Sequence, residues 1–145
     1  MTSPVLVLDR DGPITYVTMS RPKAMNAVDE DVLDAWPEIL TEVADDESCK
    51  ALVVRGAGDR AFSVGLDLEM LGRGFADHDY FAGILARFND ILNRLERLPV
   101  PVVAAVNGLA RAGGFELMLA CDLVVVVEDA RVGDTHVAFG VPPGG

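Results

Sequence analysis

The stretch NGLARAGGFELMLACD, residues 107–122, decides how the rest of the chain is read. Gly113 and Gly114 open an apolar helical segment, so the first backbone N–H groups stand uncovered, and the helix dipole adds partial positive charge that welcomes an oxyanion. Glu116 lies three residues after Gly113, about one turn on and on the same face. A reacting group polarised by the Gly113 N–H would therefore lie near this carboxylate. Phe115, Leu117, Met118 and Leu119 flank it, and an acid so placed is costly to desolvate unless it is used or paired. Two structural readings stand beside the functional one. One is a capping box, although Ala112 or Arg111 stands where that motif wants Ser or Thr. The other is an ion pair with Arg111 or another base.

Working outward, residues 101–106 before this stretch and 123–127 after it read as buried strands, with a short helix over 113–121 between them. Phe81, Ile84, Leu85, Phe88, Ile91, Leu92, Leu95 and Leu98 mark one face of a long helix ending at Pro99. Residues 51–55 read as another strand. Upstream, Asp29 is placed to cap a helix carrying Val32, Leu33, Trp36, Ile39, Leu40 and Val43, which Pro37 should kink or delay. Residues 5–8 and 14–19 read as a hairpin turning at Asp11-Gly12. Strands alternating with helices imply an α/β fold with a largely parallel sheet and right-handed crossovers. The 145 residues suit one domain.

Half of the residues are hydrophobic and 24% are charged, which fits a packed core. The mean hydropathy of +0.29 suggests some apolar surface meant to be covered. A formal net charge of −11, from 23 acidic against 12 basic residues, argues against nucleic acid or an anionic membrane as partner. Cys49 and Cys121 are the only cysteines, without metal-ligand spacing, so neither a disulfide framework nor a metal site is expected. A soluble cytoplasmic protein is the expectation, since no apolar run approaches the ~20 residues that span a bilayer.

A second constellation is RGAGDRAFSVGLDLEM, residues 55–70. GAGDRA superficially fits the G-x-G-x-x-G/A dinucleotide fingerprint, but 62–65 reads on as a loop where that motif needs a helix. Nucleotide-cofactor binding is therefore the poorer reading. Ser63 stands in no G-x-S-x-G context, which sets aside a serine nucleophile.

Together with SRPKAMNAV, PVPVVAAVNGLARAGGFELMLACDLVVV and ARVGDTHVAFGVPPGG, this stretch resembles the enoyl-CoA hydratase/isomerase family of the crotonase superfamily, motif by motif and in order over nearly the whole chain. The resemblance implies a crotonase-like (ClpP/crotonase) fold of repeated β-β-α units. It implies that the N–H groups of Leu66 and Gly113 polarise a thioester carbonyl and stabilise an enolate. It further implies that Glu116 is an acid/base, and that His136 occupies the position where many hydratases carry a second glutamate. Structural alternatives for His136 are a buried hydrogen-bonded side chain or a loop residue. Asp134 is close, but alternate residues of a strand face opposite ways, so it is not expected to orient His136. His78 reads as a solvated-loop residue.

The coenzyme A portion, by the same resemblance, runs along loops carrying Lys23, Ala24, Ser63, Gly65, Asp67 and Leu68. Lys23 would offset phosphate charge or be a plain surface lysine, and Asp67 would touch coenzyme or cap the following helix. The resemblance implies an acyl-CoA thioester as substrate, no permanently bound cofactor, and hydration of a 2-enoyl-CoA as the leading activity. Relative to the family the chain reads as a core domain, residues 1–145, lacking C-terminal helices that assemble trimers or hexamers. A non-catalytic fragment or interaction subunit is accordingly the competing reading.

Overall fold

The computed structural model describes residues 4–144. The chain runs as successive strand-strand-helix units. The first comprises β1 (Leu6–Asp11), β2 (Ile14–Met19) and α1 (Glu30–Asp45). The second has β3 (Ala51–Gly56), β4 (Ala61–Ser63) and two helices, α2 (Leu68–Ala76) and α3 (His78–Glu96). The third has β5 (Val102–Val106), β6 (Leu109–Arg111) and α4 (Gly113–Leu119), and the fourth β7 (Leu123–Val126), β8 (Arg131–Gly133) and a 3-10 turn, His136–Phe139.

This repetition sorts the strands. One sheet has the order β1-β2-β3-β5-β7 and the other β4-β6-β8, so each later unit gives its first strand to the large sheet and its second to the small one. Among the described strands only the β1–β2 hairpin is antiparallel. Alternation along β3 and β5 buries Leu52, Val54, Val102, Ala104 and Val106, which join one core with the apolar faces of α1 and α3.

Local chemistry explains the helix starts. Asp29 accepts a hydrogen bond from the Val32 N–H at 3.0 Å, so α1 begins at Glu30 as its cap predicts. Pro37 does not delay that start. Its carbonyl accepts hydrogen bonds from the Thr41 hydroxyl at 2.9 Å and from the Arg94 guanidinium at 3.0 Å, the latter tying α1 to α3.

Several expectations are corrected. Asp11 still pairs with Ile14, so the hairpin loop is Gly12-Pro13, with Gly12 alone at positive φ (+56°). The helix that Asp67 was placed to cap is α2, which runs on through Gly72 and Gly74. His78 is the first residue of α3 rather than a loop residue, because Asp77 accepts from the Tyr80 N–H at 3.0 Å and starts the helix there. Phe62 and Ser63, the start of the 62–65 stretch read as loop, belong to β4 (Ala61–Ser63). Finally, residues 123–127 are not buried. β7 is the sheet edge beyond β5, and Leu123 and Val125 are 61% and 63% exposed, because no described helix lies over them. An apolar run reports what a strand wants to bury, not what covers it.

Candidate active site

The small sheet sets the site. β4, β6 and β8 are parallel neighbours, and each leads at its C-terminal end into a helical segment: β4 through 64–67 into α2, β6 through Ala112 into α4, and β8 through Asp134-Thr135 into the 3-10 turn. Three strand-to-helix junctions thus gather at one edge, the usual place for ligands in α/β folds.

The first two junctions are pressed together by glycine. A Cβ on Gly65 (φ +87°) would stand 2.5 Å from the Gly113 nitrogen, and one on Gly114 would stand 2.0 Å from the Ser63 carbonyl oxygen. This contact places the Gly113 N–H beside the residue preceding Leu66. Val28 forms a parallel bridge with Leu66: its N–H donates to the Gly65 carbonyl at 2.8 Å and its carbonyl accepts from the Asp67 N–H at 2.9 Å. That pattern leaves the Leu66 N–H off the ladder. Among the described residues neither the Leu66 nor the Gly113 N–H has an acceptor. Two adjacent, fixed backbone donors are thereby available to a developing oxyanion.

Ala112, the cap residue of α4, adopts φ +46° and ψ −123°, a conformation suited to glycine. The strain amounts to about 1–3 kcal/mol, against about 0.4–1 kcal/mol lost to the unfolded state when glycine is introduced. Ala112→Gly is therefore expected to raise stability by about 1 kcal/mol, or roughly 3 °C in Tm for a domain of this size. A thermal melt showing a lower Tm would contradict this account of the junction.

A cavity of about 600 Å³ opens beside these junctions, lined by Ala24, Met25, Leu66, Asp67, Leu68 and Leu71, and by Leu109, Arg111, Thr135, Ala138 and Phe139 from the other two junctions. Its wall is largely apolar, with Asp67 and Arg111 as its charged members. Asp67 caps α2 by accepting from the Glu69 N–H at 2.9 Å, and is held at 3.3 Å by Arg21, which also pairs with Asp29 at 2.8 Å. Arg21 is a structural tie that the sequence reading missed.

The third junction brings the proton-handling groups together. His136 Nε2 lies 3.6 Å from Glu116 Oε2, with both side chains nearly buried. Glu116 Oε1 accepts from the Gly144 N–H at 3.1 Å. Glu116 is the fourth residue of α4 and Ala112 offers no side-chain cap, which removes the capping-box reading. The carboxylate lines a small cleft with Asn89 and Leu92, while the large cavity is lined by Thr135, Ala138 and Phe139 of the segment that carries His136, and by neither Glu116 nor His136 themselves.

The expectation for Asp134 fails. β8 ends at Gly133, so strand alternation no longer applies, and Asp134 Oδ1 accepts from both the His136 backbone N–H at 3.0 Å and His136 Nδ1 at 2.6 Å. The legible signal was an aspartate able to bond the backbone two residues on. These bonds, the backbone one foremost, hold the Asp134 carboxyl below the ordinary carboxylate range.

Not every expected residue meets the cavity. Ala24, Leu66, Asp67 and Leu68 line it, whereas Lys23 is exposed on the 3-10 turn Pro22–Ala24 and lies outside that lining. Ser63 is fully buried, donating to the Asn26 carbonyl at 2.9 Å and accepting from the Gly65 N–H at 3.2 Å, so its hydroxyl shapes the loop. Cys121 is no nucleophile: burial pushes its thiol up to about 12. GAGDRA leads from β3 into β4 with no helix, as the reading against a dinucleotide site requires.

The enoyl-CoA hydratase/isomerase family matches residues 9–145. The chain belongs to this family. The short-chain-enoyl-CoA hydratase of Clostridium acetobutylicum is 35% identical over 139 residues, covering 96% of this chain and 52% of that protein. A carnitinyl-CoA dehydratase of Salmonella enteritidis is 39% identical over 139 residues, covering 95% of this chain and 51% of its own length. Among solved structures, an enoyl-CoA hydratase from Bacillus anthracis superposes with a TM-score of 0.91 at 28% identity, over 97% of this chain and 54% of that one. The chain thus spans about half the length of the curated relatives it matches. The crotonase-like α/β fold expected from the sequence is confirmed by these matches.

Proposed function

We propose that this chain carries the thioester-activating site of an acyl-CoA enzyme that hydrates a 2-enoyl-CoA. The observation supporting this most is the contact between two loops that leaves the Leu66 and Gly113 N–H groups side by side without acceptors among the described residues. The thioester carbonyl oxygen accepts from both donors, and charge moving onto it as the enolate forms is stabilised by dipoles fixed beforehand. The adjoining apolar cavity takes the substrate, with Ala24, Leu66, Asp67 and Leu68 along the coenzyme's path.

Hydration needs one proton accepted and one delivered. The water oxygen bonds to the β-carbon as the water gives up a proton, and the α-carbon of the enolate receives a proton. Glu116 and His136, 3.6 Å apart, form the pair that exchanges them, so the pair's own proton count is restored once both transfers are complete. In this reading a histidine serves where a second glutamate is common in the family.

The test is conversion of crotonyl-CoA to 3-hydroxybutyryl-CoA, followed by loss of enoyl absorbance and confirmed by mass. Turnover that survives simultaneous loss of Glu116 and His136 would remove these residues from the chemistry. A purified chain that fails to bind or convert crotonyl-CoA would count against the whole reading.

A further inference from the structure

The geometry points to Asp134 as a positioning residue that fixes the proton of His136 on Nδ1 and so turns the bare Nε2 toward Glu116. This inference rests on the proposed pairing of Glu116 with His136. Asp134 Oδ1 is doubly anchored: the His136 backbone N–H at 3.0 Å fixes where the oxygen sits, and the ring nitrogen Nδ1 at 2.6 Å meets it there. An ionised carboxylate only accepts, so the hydrogen in that short contact belongs to the ring. Hydrogen bonding at one ring nitrogen decides the state of the other, so Nε2 is left as the acceptor in the neutral imidazole.

The partner across the gap makes the choice matter. With Nδ1–H committed to Asp134, Glu116 Oε2 and His136 Nε2 stand 3.6 Å apart, so a proton passing between them rests on one or the other. Reversing the tautomer would put a hydrogen on Nε2 of the neutral ring, and the pair would lose the base that takes a proton there. Turning the ring away would lose the pair altogether. Asp134 itself is exposed and ends no core contact, so its removal leaves the buried fold in place.

The test is the ring-nitrogen pattern of His136 in long-range proton–nitrogen NMR spectra of the 145-residue chain, on the alkaline side where the ring is neutral. The chain has two histidines, and His78 serves as internal reference. The wild-type chain is expected to give the Nδ1–H pattern. Asp134→Ala should shift His136 toward the Nε2–H pattern with His78 unchanged. Asp134→Asn should retain Nδ1–H, because the backbone N–H of residue 136 pins the amide oxygen in the same place. With crotonyl-CoA, Asp134→Ala should lower kcat by about 10-fold or more at unchanged KM, as outer partners of a working histidine typically do, and Asp134→Asn should recover part of it. An Nε2–H ring in the wild-type chain, or the same tautomer in wild type and Asp134→Ala, overturns the inference. The tautomer is read without turnover, so failure of the hydratase reading and failure of this one are separate results.

Discussion

Glu116→Gln is expected to lower kcat for crotonyl-CoA by about 10²–10⁴-fold, the span typical of a lost general acid or base, while acetoacetyl-CoA still binds. Glutamine keeps the shape of the side chain and an oxygen that can accept from the Gly144 N–H, which Glu116 does at 3.1 Å. It cannot take or deliver a proton opposite His136 Nε2. The split between turnover and binding is the informative part, because the loops at Leu66 and Gly113 are untouched. Unchanged turnover in this variant would exclude Glu116 as an acid/base.

The second large effect is expected from a single methyl group. Gly114→Ala places a Cβ 2.0 Å from the Ser63 carbonyl oxygen and 2.5 Å from its carbon, both backbone atoms of a buried strand. Ser63 cannot retreat cheaply, since its hydroxyl is bonded to the Asn26 carbonyl at 2.9 Å. Asn26 is itself tied to the Ala61 carbonyl at 2.8 Å. Overpacking of this kind costs about 3 kcal/mol, or roughly 10 °C in Tm. Because the loop that must move carries Leu66, turnover should fall by about 10²-fold as well, the scale of a 1 Å misplacement. Gly72→Ala is the contrasting change. Gly72 is exposed in α2 with nothing within 4 Å of its added Cβ, so alanine there should stabilise by about 1 kcal/mol. Equal melting shifts for the two variants would contradict the packing argument.

The long elements were legible in the sequence because their signals are redundant. α3 repeats its apolar face over several turns, and α1 adds an aspartate cap to its own. The small sheet was not legible. β4, β6 and β8 are three residues each, too short for a period of two to declare itself, and they are specified by long-range pairing instead. α2 was obscured by Gly72 and Gly74, residues that argue for loop. Gly74 proves to be a close approach, since a Cβ there would meet the Phe81 ring at 2.6 Å.

The family motifs pointed to Leu66, Gly113, Glu116 and His136, and the fold places them on adjoining junctions. What it could not supply was the ending of β8 at Gly133. That ending frees Asp134 from strand alternation and lets it reach the imidazole. The same holds for Arg21, whose link to Asp67 spans 46 positions and has no local signature.

The central claim is that two backbone N–H groups polarise a thioester carbonyl. The most direct measurement is the infrared difference spectrum of crotonyl-CoA carrying a carbon-13 label in its thioester carbonyl, bound to the Glu116→Gln chain so that it is not consumed. The account predicts a carbonyl band at lower frequency than in free solution, because donors at Leu66 and Gly113 draw charge onto the oxygen. A bound ligand whose band keeps its solution frequency would contradict it.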